Sequence, residues 1–201
     1  SFGLAADDPQ GFMLAPDRQH VLIFLASGTA HLYELATGQR IAEYVGHDGR
    51  IMAATWHASG RYLATAGLDG AVRLWEVGAK RPLLTLRGHT DGSTAGRPAV
   101  VGVVWQDNGQ LVSYGEDGTL RLWQVFDQQG TPLCNGLDNA RLPACHALAQ
   151  SFVYDATTIK AAHWLDNQTV VTVDDNSVVQ RLALTPSVAS LGTQTVCIGT
   201  E

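Results

Sequence analysis

Short apolar runs of four to seven residues, rich in Val, Leu, Ile and Trp, recur along the whole chain. Each is bounded by Gly, Asp or Asn. Val21–Leu25, Arg61–Ala66, Val100–Trp105, Leu111–Tyr114 and Thr169–Val173 are examples. Runs of this length with turn residues at both ends read as strands, and the three-to-four-residue periodicity of an amphipathic helix is nearly absent. The pairs Asp69-Gly70 and Asp117-Gly118 fall between such runs and predict tight hairpins. The pattern therefore predicts an all-β chain.

The runs are organised as a repeat. From Gly46 the chain reads GHDGRIMAATWHASGRYLATAGLDGAVRLWEV, and from Gly88 it reads GHTDGSTAGRPAVVGVVWQDNGQLVSYGEDGTLRLWQV. Both open on Gly-His, cross an apolar run, turn at Asp-Gly and close on Arg-Leu-Trp. Trp75 and Trp123, 48 residues apart, mark equivalent positions. Stepping back 42 residues reaches Tyr33, and stepping forward 58 reaches Arg181. A second marker, the large residue that ends the first strand of each unit, falls at Leu14, Trp56, Trp105 and Trp164. Two markers advancing together give four units, of which the outer two are degenerate.

A Gly-His start and a Trp-Asp-like end in units of this size resemble the blades of WD40-repeat β-propellers. The resemblance implies about four four-stranded antiparallel blades, near residues 9–45, 46–87, 88–153 and 154–201, in one partial propeller spanning 1–201. WD40 blades often hold a buried polar chain of histidine, hydroxyl, aspartate and tryptophan. Carried over, it comprises His47, Thr65, Asp69 and Trp75 in the second blade, and His89, Ser113, Asp117 and Trp123 in the third. Histidine, aspartate and serine together also suggest a hydrolytic triad. The set occurs twice and ends on Trp rather than at a cleft, which favours a structural role. The outer blades depart from the pattern. The first has Ser27 and Tyr33 in the aspartate and Trp places, the fourth has Thr172, Asp175 and Arg181, and neither has Gly-His.

Partners of this family often dock where the inner strand is entered and where the second and third strands turn. The resemblance implies a rim formed by Arg50, Met52 and Leu68, by Ala99, Val101 and Glu116, by Thr158, Lys160 and Asp174, and by Gln10 and Ala26. Met52, Leu68 and Val101 are apolar beside charged Arg50. That composition suits a protein-binding hot spot, or packing against the 91–98 segment.

Composition narrows the classes. Hydrophobic residues make up 45% of the 201 and charged residues 16%, as in a globular chain. A net charge of −6, with 11 Arg and 2 Lys spread along the chain, argues against general binding to nucleic acid or anionic membrane. No 18-residue apolar run suggests a membrane span. Three cysteines make no disulfide framework and fit a reducing, cytoplasmic setting. An insertion near 127–150 carries Cys134, Cys145 and His146. Its Cys-x10-Cys-His spacing matches no standard zinc site, and a Cys134–Cys145 bridge or two free thiols both remain open. No metal, cofactor or phosphate loop is expected.

The expectation is a non-enzymatic interaction scaffold, or the sensor module of a larger signalling protein, binding another protein through the rim. The alternative is an accessory domain of an enzyme with its site in the 127–150 insertion. Four blades make an incomplete ring, since propellers of this type usually have seven. The remaining blades are expected in the same polypeptide, in a second chain or by self-association.

Overall fold

The computed structural model describes residues 7–89, 98–106, 109–126, 149–153 (backbone only) and 158–184. Its strands form four separate antiparallel sheets, and the described residues contain no helix. The first sheet is β1 (Pro9–Leu14), β2 (His20–Leu25), β3 (Thr29–Glu34) and β4 (Arg40–Val45). The second is β5 (Ile51–Trp56), β6 (Tyr62–Gly67), β7 (Ala71–Glu76) and β8 (Leu84–Arg87). The third is β9 (Val100–Trp105), β10 (Gln110–Gly115), β11 (Thr119–Gln124) and β12 (Ala149–Val153). The fourth is β13 (Ile159–Asp166), β14 (Thr169–Asp174) and β15 (Val179–Ala183). Every sheet is ordered as the chain runs, so each is an up-and-down blade.

The fourth blade shows three strands among the described residues, where four were expected. Most of the 127–150 insertion, with Cys134, Cys145 and His146, lies outside the described residues, as does the 91–97 segment. Strand β12 emerges at the end of that insertion and pairs with β11, Leu120 opposite Phe152.

Blades pack face to face, and this explains the missing alternation of polar residues along the middle strands. Every residue of β6 is buried. Leu63 and Thr65 face the first blade while Ala64 and Ala66 face the third, and a strand covered on both faces has no wet side. Three apolar layers result. Leu22, Phe24, Leu32 and Tyr44 meet Ile51, Leu63 and Trp75 between the first two blades. Val72, Leu74 and Leu86 meet Val100, Leu111 and Trp123 between the second and third. Val112, Leu120 and Leu122 meet Ile159, Val170 and Leu182 between the third and fourth. Beyond these layers the outward face of blade one leaves Phe12 72% exposed and Leu14 52%, and blade four leaves Val179 65% exposed.

Candidate functional site

One backbone bond recurs in all four blades and fixes the level of the rim. The residue just after the second strand donates its N–H to the carbonyl at the entry of the inner strand. The pairs are Ala26 to Asp8, Leu68 to Arg50, Glu116 to Ala99 and Asp175 to Thr158, at 2.9, 2.9, 3.0 and 3.1 Å. This alignment places Leu68, Glu116 and Asp175 at equivalent points. In the fourth blade Asp175, not Asp174, therefore occupies the outward turn position. The Asp174 carboxylate folds inward and accepts the N–H groups of Asn176 and Val178, each at 2.9 Å. Asp174 thus shapes the turn rather than the rim, and the residue in the aspartate place of the polar chain is Asn176, not Asp175. In the first blade the strand-entry position is Asp8, two residues before Gln10.

Arg50, Leu68, Glu116 and Lys160 are exposed, whereas Met52 is half-buried. Val101 is half-buried against the apolar layer between the third and fourth blades, so much of its side chain is spent on packing. A Glu116 carboxylate oxygen accepts the Ala99 N–H at 3.2 Å, bracing the strand entry beside it. Arg50 and Leu68 stand together, joined through their backbones, with Leu68 44% exposed.

Beneath this rim lie two polar networks. In blade two the Trp75 indole N–H donates to Thr65 Oγ1 at 2.9 Å, and the Thr65 hydroxyl meets His47 Nε2 at 2.8 Å. His47 Nδ1 meets Asp69 Oδ1 at 2.8 Å. The Asp69 carboxylate can only accept, so the proton of neutral His47 sits on Nδ1 and points to it, and the bare Nε2 accepts the Thr65 hydroxyl hydrogen. Blade three repeats the path from Trp123 to Ser113 at 2.8 Å, Ser113 to His89 at 2.7 Å, and His89 to Asp117 at 3.0 Å. Gly67 is required here: any Cβ at that position would collide with the His47 ring. Gly70 and Gly118 complete the hairpins with φ of 69° and 65°, a region that glycine enters freely.

Electrostatics follow from the burial. Loss of solvent pushes His47 and His89 below the ordinary histidine value, against the pull of their aspartates. Burial also opposes ionisation of Asp69, but His47 and Arg73 outweigh it and hold this carboxyl far below the usual carboxylate range. In Asp117 burial is likewise overcome, by His89 and Thr119. The resting state is thus neutral histidine beside charged aspartate. The hydroxyls of Thr65 and Ser113 are fully buried. The arrangement orders hydrogen bonds and does not present a reacting group.

Sequence reasoning missed two members. Arg73 Nη1 donates to Asp69 Oδ2 at 2.6 Å, inside the blade. The same nitrogen lies 2.7 Å from His47 Nδ1, but Nδ1 already carries a proton, so the bond that counts is the one to Asp69. The signal was present in the repeated Arg-Leu-Trp. In blade three the Thr119 hydroxyl sits 3.1 Å from His89 Nδ1, and the Nε of Arg121 is buried without a hydrogen-bond partner. The tryptophans that end the inner strands differ from Trp75 and Trp123. The indole N–H groups of Trp56, Trp105 and Trp164 are buried without a protein partner, one in each layer between blades. Among the described residues no cluster of three or more His, Cys, Asp or Glu is placed to hold a metal.

Comparison with known proteins agrees with this geometry. The family model of the WD domain, G-beta repeat, matches residues 38–76 and 80–124. An uncharacterized WD repeat-containing protein of Schizosaccharomyces pombe is 28% identical over 113 residues, 55% of this chain and 18% of that protein. Cell division cycle 20.1, cofactor of APC complex, of Arabidopsis thaliana is 30% identical over 112 residues, 54% of this chain and 22% of its own length. Target of rapamycin complex subunit wat1 of S. pombe is 25% identical over 122 residues, 59% of this chain and 36% of its own. The chain thus spans between 18% and 36% of the length of these relatives. Among solved structures, the RRP9 WD40 repeats superpose with a TM-score of 0.68 at 15% identity, covering 90% of this chain and 52% of that one. The computationally designed Ika4 protein superposes with a TM-score of 0.67 at 19% identity, covering 92% and 96%.

Proposed function

The chain belongs to the WD40-repeat family of β-propellers, and from that premise we propose that it serves as a non-enzymatic scaffold or sensor module that holds a protein partner within a larger, cytoplasmic signalling assembly. Proteins of this family typically act as interaction scaffolds in complexes, and two of the relatives are described as a complex cofactor and a complex subunit. The partner would dock on the rim at Arg50 and Leu68, flanked by Met52, Glu116 and Lys160, with Asp175 taking the place first given to Asp174. The supporting observation is the exposed Leu68 beside the exposed Arg50, both anchored by one backbone bond over a buried polar network. An apolar side chain next to an arginine, held rigid in advance, loses little freedom on binding. The missing blades would come from the same polypeptide, a second chain or a second copy, covering the exposed Phe12, Leu14 and Val179.

The test is a quantitative comparison of proteins recovered from the source cells on wild-type chain, Arg50→Glu and Leu68→Arg. A partner held by the wild type and lost from both variants, at unchanged melting temperature, supports the rim. Equal recovery on all three removes Arg50 and Leu68 from the site.

A further inference from the structure

Blade four breaks a pattern that the other blades keep. On the third strand, the residue just before the tryptophan place is Leu32 in blade one, Leu74 in blade two and Leu122 in blade three. Each is buried in the layer that its blade shares with the next one. In blade four the same place holds Arg181, opposite Val171, and it is exposed. His163 completes the row across the sheet and is exposed as well, where the other blades have Met13, Thr55 and Val104. The charge of Arg181 is felt by Asp166 at the end of β13. The onward face of blade four therefore sets two basic side chains among Val171, Val173 and Val179.

An arginine on such a face selects its neighbour, because a charge buried unpaired or against a like charge is costly. A blade built like the second or third would turn Arg73 or Arg121 into the shared layer, since each lies opposite the hydroxyl of its polar path, on the face toward the preceding blade. The same face of blade one is different. Phe12, Ile23, His31 and Glu43 form one row across its four strands. Glu43 meets His31 at 3.1 Å and Arg40 at 3.7 Å, both through Oε1, which leaves Oε2 for a further cation. Around this carboxylate Phe12, Leu14 and Val45 stand exposed. Within one chain the two faces do not meet, since Phe12 and Val179 are both open to solvent.

We propose that both open faces are covered by a second copy of this chain. Blade four of each copy packs on blade one of the other, Arg181 pairs with Glu43 across both seams, and Phe12, Leu14, Val45 and Val179 are buried there. The inference rests on the reading of the chain as a partial propeller. A head-to-tail contact made twice closes a ring of two-fold symmetry, and two sets of four blades make eight, within the range in which propellers close. Both rims then lie on one face of the ring, so Arg50 and Leu68 are presented twice to a partner.

Light scattering behind gel filtration gives the mass of the full chain, and sedimentation at graded concentrations gives its dimer Kd. The wild type is expected at twice 21.5 kDa. Arg181→Glu and Glu43→Arg should each weaken the dimer by about tenfold or more, with thermal melting showing that each variant folds. Mixing the two variants should restore the dimer, because each seam of the mixed pair then joins opposite charges. Arg50→Glu should leave the mass unchanged, so the rim reading fails separately, through its natural partner. A wild-type monomer, an open-ended larger species, single variants that dimerise as tightly as wild type, or a mixture that stays monomeric each overturns the proposal.

Discussion

The two central blades and the two outer ones share a strand plan and differ in what lies between the strands. Blades two and three each carry a closed path from tryptophan through hydroxyl and histidine to aspartate. Blade one has Ile23 in the hydroxyl position, Tyr33 for the Trp, and Ser27, bonded to Thr29 at 2.8 Å, for the aspartate. Blade four keeps a buried Thr172 but has Asn176 in the aspartate place, and the strand register puts buried Leu182, not the Arg181 expected from spacing, in the Trp place. Strand pairing alone thus suffices to form a blade, because all four are present. The polar path adds a rigid tie between the strand entry and the hairpin, since each buried polar atom in it finds a partner. Sequence match follows the same division, with the family repeats falling over the central pair.

The largest expected effect comes from emptying the centre of a matched blade. Trp75→Ala removes a fully buried side chain and the donor to Thr65, and should destabilise by about 3–5 kcal/mol in denaturant unfolding. A milder change at the matching position of blade one, Tyr33→Phe, removes only a hydroxyl, which lies 3.5 Å from His31 Nδ1 rather than in such a path, and should stay within about 0.5 kcal/mol. Similar losses at both positions would erase the distinction between the blades.

A smaller effect separates blades two and three. Arg73→Leu breaks the 2.6 Å bond to Asp69 and should cost about 1.5–3 kcal/mol. Arg121→Leu removes a guanidinium whose Nε is buried without a partner, so it should cost less than Arg73→Leu. The reverse order would show that the buried Arg73–Asp69 pair contributes nothing net.

Acid sharpens the comparison further. His47 and His89 have depressed folded values, so below about pH 6.5 the unfolded chain binds more protons than the folded one. Stability should be level above that pH and fall as pH drops below it. A second fall should follow below about pH 3.8, where the unfolded carboxyls take up protons that Asp69 and Asp117 resist. Melting temperatures between pH 8 and 5 measure the first step. The double variant His47→Gln, His89→Gln should flatten it, and a step of undiminished size would assign it elsewhere.

Much of this was legible in the chain. Turn-bounded runs gave the strands, because a strand's length and its flanking glycines are local properties. The Trp75 and Trp123 markers gave the unit, because equivalent residues recur at equivalent places, and the resemblance to WD40 blades gave the networks. Blade four was harder to place. Its turn from Asp174 to Val178 is held by a carboxylate bonding forward to two N–H groups, and such a turn reads on paper like any acidic pair. That shifted the rim residue by one. Arg73 was hidden for a different reason: a charged residue in a strand reads as solvated, and only the packing of blade one against blade two buries it.

What the sequence determined by itself is the all-β plan and the repeat, since these depend on spacing and on neighbours along the chain; the residues of the two polar paths followed from the resemblance that the repeat carries. The tertiary structure alone decided which faces are covered, which cations are buried and which edge is left open. Arg73 is enclosed while Arg50 is exposed, and β8 is covered while β4 is not, because burial depends on which blade lies alongside, and that neighbour comes from a distant part of the chain.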